Sequence, residues 1–277
     1  MKAVILAAGQ GTRLRPLTNH LPKCLVQVHE KPLLQYQLES LEQVGIGHCI
    51  IVVGYLGDQV RSCFGTRFGN VHITYVTNDV FEQTNNIYSL WLARQELNDD
   101  ILLLEGDLLF EDGLLGDLTQ GRYTNVAVVD RFNSSMNGTV ILASQGLSTS
   151  MVLKAQQSAD FDYRNALKTV NIYVLSQEVL SRQFLPTLDS YIDRGLTSEF
   201  YEAVIAQMIA DDNLQMTVHM TGARRWTEID TEEDLRLAEK FFPVSLPSDY
   251  TRPRQAITRS LLSRKTTRTR PVRSRRR

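Results

Sequence analysis

The first half of the chain alternates short apolar runs with segments of helical periodicity. The apolar runs predict strands at Lys2–Ala8, His48–Val53, His72–Thr77 and Ile101–Leu104. The helical periodicity predicts helices at Pro32–Val44, Leu56–Phe64 and Thr84–Leu97. Strands that alternate with helices at this spacing form parallel sheets with right-handed crossover connections. The pattern therefore predicts an α/β fold with a mainly parallel sheet flanked by helices.

The pattern changes after residue 124, where short β-rich segments follow one another without helices between them. They predict strands at 125–129, 136–142, 151–153 and 169–174, so part of the sheet should be antiparallel or form a small β-rich appendage. Later segments predict helices at 177–184, 186–194 and 198–210 and a strand at 214–220. Thr231 and Asp234 have the spacing of a capping box, which predicts the start of a final helix.

The net charge of −1 conceals an asymmetry between the body of the chain and its end. Residues 250–277 contain eleven Lys or Arg and no acid, so residues 1–249 carry 19 basic against 31 acidic residues, a net charge of −12. The chain is therefore divided into a domain at 1–242 and a basic, disordered tail at 243–277. The tail is either a solvated extension or a segment that binds nucleic acid, an anionic membrane or the acidic domain. We expect no nucleic-acid partner outside this tail.

Two further features of composition narrow the class of protein. No apolar run reaches the length of a membrane span and the first residues lack the apolar region of a signal peptide, which predicts a cytoplasmic protein. The three cysteines, Cys24, Cys49 and Cys63, lack C-x-x-C spacing and predict reduced, mostly buried thiols rather than disulfides or a zinc site. The oligomeric state stays open, with a homodimer as one expectation.

The strand at Lys2–Ala8 leads directly into a loop that contains Gly9, Gly11 and Arg13. Such a loop presents backbone N–H groups and a cation at the end of a strand, an arrangement that suits phosphate. Glycine lets the backbone approach a ligand closely, although in many α/β folds glycine at this place serves packing alone. Two prolines then hold Lys23 near the loop mouth as a point charge.

The spacing within this loop excludes two common phosphate-binding templates. Leu14 occupies the third glycine position of the dinucleotide motif G-x-G-x-x-G, and the segment lacks the G-x-x-x-x-G-K-[ST] pattern of P-loops. The remaining pattern, G-x-G-T-R-L-x-P followed after five residues by P-K, resembles the signature of nucleotidyltransferases that join a nucleoside triphosphate to a phosphorylated small molecule. The loop is therefore predicted to hold a triphosphate.

Triphosphate chemistry needs a divalent cation held by oxygen ligands, and Mg²⁺ takes one or two carboxylates from most proteins. Asp107 is predicted at the carboxyl end of a central strand, where ligands of open α/β sheets collect, and Asp230 precedes the final helix. More than 100 residues separate them, so the sequence gives no evidence that they meet, and either could be structural. Asn85 and Asn86, at a predicted helix start, are most simply helix caps.

Seven segments in order over residues 1–242 extend the resemblance: LAAGQGTRLRPLT, PKCLV, TNNIYSL, LEGDLLF, LKTVNIY, EFYEAVI and WTEIDTEEDL. They are similar to cytidylyltransferases that act on phosphocholine or 2-aminoethylphosphonate, relatives of the sugar-1-phosphate nucleotidyltransferases. The resemblance implies a Rossmann-like fold of the nucleotide-diphospho-sugar transferase type with a small β-rich acceptor-binding region. It implies that Asp107 and Asp230 bind Mg²⁺ together. It also implies three catalytic cations, Arg13 and Lys23 on the triphosphate and Lys168 on the acceptor's phosphorus group.

The resemblance assigns two further sets of residues. The nucleotide is expected near Leu6, Ala8, Gly9, Gly11, Thr12, Arg13, Lys23, Gly54, Asn85, Asn86 and Ser89. The acceptor is expected near Glu105, Lys168, Asn171, Tyr173, Glu199, Tyr201, Trp226 and Glu228. An amine on the acceptor could be held by the ring face of one of these three aromatic residues, with Glu199 or Glu228 as counter-charge. Core packing is the simpler explanation for each aromatic residue taken alone.

Two positions depart from the pattern of these cytidylyltransferases. Asn137 in MNGTV stands where we expect an aspartate, and Thr227 replaces a tyrosine between Trp226 and Glu228. A carboxylate at position 137 would have supplied a charge near the acceptor's ammonium group. The first departure therefore concerns the identity of the acceptor and not the phosphate-binding residues.

The sequence thus predicts a Mg²⁺-dependent enzyme that transfers CMP from CTP to phosphocholine or 2-aminoethylphosphonate and releases pyrophosphate. An anionic acceptor oxygen would attack the α-phosphorus without a general base, so the protein supplies alignment and charge neutralisation. Two alternatives remain, a sugar-1-phosphate nucleotidyltransferase and a catalytically silent, regulatory member of the fold. The chain could also be the nucleotidyltransferase portion of a larger pathway enzyme.

Overall fold

A computed structural model describes residues 1–119 and 124–242 of the chain. The strands are β1 Lys2–Ala7, β2 Gln27–Val28, β3 Lys31–Pro32, β4 His48–Val53, β5 Arg67–Phe68, β6 Val71–Thr77, β7 Ile101–Glu105, β8 Leu108–Phe110, β9 Val126–Arg131, β10 Val140–Ser144, β11 Leu147–Val152, β12 Ala166–Leu175, β13 Thr217–Met220 and β14 Trp226–Glu228. The helices are α1 Leu33–Gln43, α2 Gly57–Phe64, α3 Asn86–Leu92, α4 Gly116–Thr119, α5 Gln177–Val179, α6 Leu185–Asp193, α7 Glu202–Ala210 and α8 Glu232–Phe241. The tail predicted at 243–277 lies outside the described residues.

Ten strands form one mixed sheet in the order β10-β11-β13-β9-β12-β7-β1-β4-β6-β5. The strands β7, β1, β4 and β6 run parallel, as predicted for the first half of the chain. On the other side of β7 in the sheet, most strand pairs are antiparallel, namely β7–β12, β12–β9, β12–β10 and β10–β11. The β-rich segments predicted after residue 124 therefore extend the main sheet at one edge. Two small sheets, β8–β14 and β2–β3, complete the fold. The predicted mixed α/β fold is therefore confirmed.

The central strands are buried on both faces, which explains their continuous apolar runs. In β1, Ala3 and Ile5 pack with α1 and α2 on one face, while Val4 packs with α3, α6 and α7 on the other. A third hydrophobic cluster joins α8 to the segment after the glycine loop and includes Leu14 and Ile229. This cluster fixes the last helix against the first loop of the chain.

Several predicted boundaries differ from the structure. The helix predicted at 84–97 is shorter, because α3 ends at Leu92 and a 3-10 turn follows at Arg94–Glu96. The strands predicted at 136–142 and 151–153 are instead β10 at Val140–Ser144 and β11 at Leu147–Val152. The helices predicted at 177–184 and 186–194 form one continuous helical segment, in which a π-helical turn at Leu180–Phe184 separates α5 from α6. Pro186 lacks the N–H that an α-helix would need at this point, and the π turn before it changes the hydrogen-bond register. Helix α7 begins at Glu202 rather than at Ser198, because Tyr201 N donates instead to Asn86 Oδ1 at 2.9 Å.

The structure confirms two local predictions. The Thr231–Asp234 capping box starts α8. The cysteines are free, with Cys24 and Cys49 buried. Across residues 1–119 and 124–242, no helix combines the length and apolar composition needed to cross a membrane.

Candidate active site

The carboxyl ends of β1 and β7 open into a cavity of about 970 Å³. The predicted site residues that line it are Leu6, Ala8, Gly9, Gly11, Thr12, Arg13, Lys23, Asn85, Asn86, Ser89, Glu105, Asp107, Lys168, Asn171, Glu199, Trp226, Glu228 and Asp230. The structure therefore brings nearly all of the predicted nucleotide, metal and acceptor residues to one place. This position agrees with the rule that ligands of open α/β sheets bind at the carboxyl ends of the strands.

The glycine loop contains two glycines with different surroundings. Gly11 has φ of 62°, and a Cβ there would lie 3.0 Å from Lys23 Cβ, so both the backbone conformation and the space require glycine. The Gly11 carbonyl accepts a hydrogen bond of 2.7 Å from the Thr18 hydroxyl, which fixes the turn. A Cβ at Gly9 would meet nothing within 4 Å, and Gly9 faces the cavity. Gly9 thus leaves open space where backbone can approach a ligand.

Lys23 joins the two predicted metal-binding aspartates. Its Nζ donates to Asp230 Oδ1 at 2.6 Å and also bonds to Asp107 Oδ2. Burial disfavours the charged lysine, but the adjacent Asp107 and Asp230 carboxylates outweigh it and raise the pKa of Lys23. Arg13 Nη2 adds a second cation at 2.8 Å from Asp230 Oδ1.

The β8–β14 pairing explains how two acids 123 positions apart come together. Glu228 pairs with Leu108, and Ile229 N donates to Asp107 O at 3.0 Å. The backbone on either side of this pairing therefore presents Asp107 and Asp230 side by side. Sequence analysis could not find this relationship, because both strands are only three residues long and β8 was not predicted.

The aspartate pair fits the requirements of a Mg²⁺ site. Asp107 Oδ1 is buried and has no hydrogen-bond partner within the described residues, so one carboxylate oxygen is left for a cation. In the same part of the chain, no group of three or more His, Cys, Asp or Glu is arranged to hold a metal ion. Mg²⁺ bound to a nucleotide needs only one or two carboxylates, since phosphate and water supply the other ligands. Asp107 and Asp230 are the residues that would hold it.

Lys168 and Asn171 converge on Glu228 on another wall of the cavity. Lys168 Nζ and Asn171 Nδ2 each lie 3.1 Å from Glu228 Oε1, and Lys168 is only 3% exposed. Asn171 has φ of 60° at a register shift between β12 and β9, a left-handed conformation that asparagine tolerates better than most residues. Burial raises the pKa of Glu228, and the Lys168 ammonium opposes this shift.

Two more carboxylates lie in the same cavity. Glu105 follows the buried part of β7 and accepts a hydrogen bond of 3.1 Å from Asn86 Nδ2. Glu202 is in the first turn of α7, is 5% exposed, and its Oε2 has no partner within the described residues. Burial raises the pKa of Glu105, with contributions from Asp107, Glu202 and Glu228, and burial raises the pKa of Glu202 to about 7.

Three predicted site residues do not line the cavity, and their assignments are corrected. Tyr173 and Tyr201 are fully buried and contact each other edge to face, with ring centroids 5.8 Å apart, so neither ring face is available to an amine. Gly54 is not among the residues that line the cavity, and a Cβ there would come within 2.7 Å of Ala8 O. Glycine at this position therefore permits close packing of β4 on the end of β1.

Glu202 is the principal cavity residue that sequence analysis missed. It lies in the quoted segment EFYEAVI, in which only Glu199 and Tyr201 were assigned. One feature of the sequence could have identified it. Glu202 lies three residues before Ile205 on an otherwise apolar helix, and residues i and i+3 lie on the same helix face, so the acid is expected on the buried face. An acid on the buried face of such a helix indicates a site or an unusual ionisation state.

Comparison with known proteins shows which curated sequences the chain resembles. The chain is 35% identical over 254 residues to the CMP-5'-(3-aminopropyl)phosphonate synthase of Streptomyces rubellomurinus, covering 91% of this chain and 40% of that protein. It is 44% identical over 129 residues to the choline-phosphate cytidylyltransferase of Streptococcus pneumoniae, covering 46% of this chain and 53% of that protein. The chain thus spans about half or less of the length of these two relatives.

A solved structure provides an independent comparison of the fold. The CTP:phosphocholine cytidylyltransferase from Streptococcus pneumoniae superposes with a TM-score of 0.70 at 27% identity, covering 86% of this chain and 97% of that chain. Residues 2–242 match the sequence profile of the family described as Nucleotidyl transferase. The matched segment includes every predicted site residue. The chain belongs to the nucleotidyl transferase family.

Proposed function

We propose that this chain transfers CMP from CTP to a small phosphorylated or phosphonate acceptor that carries an amino group, and that it requires Mg²⁺. The observation that carries this proposal is the meeting of Lys23, Asp107 and Asp230 beside the glycine loop in the cavity that Lys168 also lines. The relatives named for phosphonate and choline-phosphate substrates support the choice of acceptor. The three free cysteines agree with action in the reducing cytoplasm.

The reaction forms one phosphorus–oxygen bond and breaks another. An anionic oxygen of the acceptor's phosphate or phosphonate attacks the α-phosphorus of CTP, while the bond from the α-phosphorus to the oxygen bridging to the β-phosphorus breaks. Pyrophosphate leaves with the electron pair. Because the nucleophile is already an anion, no side chain has to remove a proton.

The residues of the chain therefore align the two anions and neutralise their charge. Backbone around Gly9 and Gly11 receives the triphosphate, and Arg13 and Lys23 supply positive charge to it. Lys168 supplies charge to the acceptor's phosphorus group. When bound by Asp107 and Asp230, Mg²⁺ would act as a Lewis acid on phosphate oxygens.

Pyrophosphate release tests this proposal directly. CTP, UTP, GTP and dTTP are each combined with 2-aminoethylphosphonate, phosphocholine and glucose-1-phosphate in the presence of Mg²⁺, with Asp107→Asn as the blank. Release that requires CTP and an amino-phosphorus acceptor supports the proposal. Release with glucose-1-phosphate would indicate a sugar-1-phosphate nucleotidyltransferase, and no release in any combination would favour a regulatory or binding role.

A further inference from the structure

The cavity has an acidic end that the transfer reaction does not use. Glu105, Glu202 and Glu228 line it from β7, α7 and β14, and the ammonium of Lys168 is bonded to Glu228. The nearby Lys23 is already shared between two aspartates. Buried carboxylates without matching positive charge are unfavourable, so the site is suited to a positively charged ligand.

Glu202 is the member of this group with unused hydrogen-bonding capacity. It is 5% exposed, and its Oε2 has no hydrogen-bond donor among the described residues. A buried acceptor left without a donor is unfavourable, because it has lost its hydrogen bonds to water without replacement. A ligand with N–H groups in this cavity would supply the missing donor.

A metal ion is a poorer occupant than an organic cation. Within residues 1–119 and 124–242, no three His, Cys, Asp or Glu side chains are grouped so that they could hold a metal ion. An ammonium group presents several N–H donors on a larger, tetrahedral group and can engage acceptors in several directions.

We propose that Glu202, together with Glu105 and Glu228, binds the amino group of the acceptor and selects a primary ammonium over a quaternary one. A primary ammonium donates three hydrogen bonds, whereas a trimethylammonium donates none and would leave Glu202 Oε2 unsatisfied. This inference rests on the proposed function, because it assumes that the acceptor carries an amine. The asparagine at position 137 fits the same arrangement, since the acidic charge comes from α7 instead.

The aromatic residues near the acidic end offer few ring faces to a quaternary amine. Quaternary ammonium groups are bound by the faces of several aromatic rings. Tyr173 and Tyr201 are fully buried, and Trp226 already has Lys168 Nζ 5.7 Å from its ring centroid. Trp226 Nε1 also donates to Asp130 Oδ2 at 2.8 Å, which fixes the indole. Two phenylalanines also line the cavity: Phe81 contacts Tyr55 edge to face, and Phe200 is 49% exposed, so Phe200 is the ring that a methylated amine could still contact.

Two pairs of acceptors that differ only in N-methylation test the inference. Pyrophosphate release with CTP and Mg²⁺ is compared for phosphoethanolamine against phosphocholine, and for 2-aminoethylphosphonate against its N,N,N-trimethyl derivative. We expect kcat/KM to favour the primary amine by at least roughly tenfold in the pair that is turned over. Equal values, or a preference for the trimethyl compound, would overturn the inference while leaving cytidylyl transfer established.

The variant Glu202→Gln tests the residue itself, since it keeps the size of the side chain and removes the charge. We expect KM for the primary amine to rise by roughly tenfold and the preference over the trimethyl compound to shrink to within about threefold. Glu178→Gln, at an exposed glutamate on α5, is the matched control. This control should keep both the KM for the primary amine and the preference over the trimethyl compound of the unaltered chain. An unchanged preference in Glu202→Gln would exclude Glu202 as the selecting residue.

Calorimetric binding of the four acceptors to the full chain, without nucleotide, separates this inference from the proposed function. Tighter binding of the primary amines without any turnover would support the amine site and contradict cytidylyl transfer. Binding that does not distinguish the two members of a pair, or no binding of either primary amine, would overturn the amine site.

Discussion

Ile229 donates its backbone N–H to the carbonyl oxygen of Asp107 across 3.0 Å. This bond joins the segment after β7 to the segment before α8 and sets the spacing of the two aspartates that face Lys23. The candidate metal site is therefore built on backbone pairing rather than on flexible loops. Its geometry should be present before any ligand arrives.

Replacing either aspartate should abolish most of the activity. We expect Asp107→Asn and Asp230→Asn each to lower kcat for pyrophosphate release by roughly 10²-fold or more, because charge stabilisation of the transferring phosphoryl group is lost. Asp193→Asn, at an exposed position at the end of α6, is the control and should keep normal activity. Activity in Asp107→Asn close to that of the unaltered chain would contradict a metal-binding role.

Replacing Lys23 should affect stability as well as activity. In Lys23→Met the two carboxylates lose their shared cation and repel each other, so we expect the free energy of unfolding to fall by about 3–5 kcal/mol. Urea denaturation at neutral pH measures this loss.

Lys23→Met also provides a test of metal binding without turnover. Because the lysine no longer occupies the carboxylates, millimolar Mg²⁺ should raise the melting temperature of this variant more than that of the unaltered chain. Equal shifts in the two proteins would argue against Mg²⁺ at this pair.

The stability of the chain should depend on the ionisation of Glu202. Burial raises its pKa from the ordinary value of 4.5 to about 7, so between these values the folded chain retains a proton that the unfolded chain releases. The stability that protonated Glu202 contributes is therefore complete below about pH 4.5 and is lost as pH rises through about 7. Glu202→Gln cannot lose this proton.

We accordingly expect Glu202→Gln to match the unaltered chain near pH 4.5 and to exceed it in unfolding free energy by about 3 kcal/mol at pH 8. Urea unfolding of both proteins across this range gives the difference at each pH. A constant difference would mean that Glu202 is ionised in the folded chain throughout.

The two glycines of the first loop should respond differently to alanine. Gly11→Ala should lower the free energy of unfolding by about 1–2 kcal/mol, because φ of 62° is unfavourable for alanine and the new methyl would press on Lys23. Gly9→Ala meets no atom within 4 Å and should keep its melting temperature, while its KM for CTP rises by roughly tenfold as the methyl enters the cavity. Thermal unfolding and CTP titration of both variants measure these effects.

Much of the fold could be predicted because the buried strands are continuous apolar runs in the sequence. β1, β4 and β7 are apolar on both faces, and each was predicted to within two residues. The predicted start of α7 was wrong because the backbone N–H of Tyr201, just before the helix, donates to the side chain of Asn86 in α3. Hydrophobic periodicity along the sequence does not encode this tertiary contact. β8 and β14 are too short for any pattern to identify their pairing.

The position of the glycine loop and its cations in the cavity was predictable, and the membership of the acidic end was not. Arg13 and Lys23 lie close to the glycine loop in sequence, so spacing alone grouped them with it. At the acidic end, Tyr173 and Tyr201 were predicted to contact the acceptor because aromatic rings bind ammonium groups. In the structure these two tyrosines pack in the core, and Glu202 lines the cavity. Which face of a strand or helix meets the cavity depends on packing between elements distant in the chain.

The order in which the site residues occur along the chain has a consequence for biosynthesis. The glycine loop and Lys23 are made first, but Asp230 follows Lys23 by 207 residues. At about 5–20 residues per second, a ribosome needs roughly 10–40 s to add them. A nascent or prematurely ended polypeptide therefore carries the glycine loop without its second acid. The pair of aspartates that would hold a metal ion is completed only after Asp230 has been added.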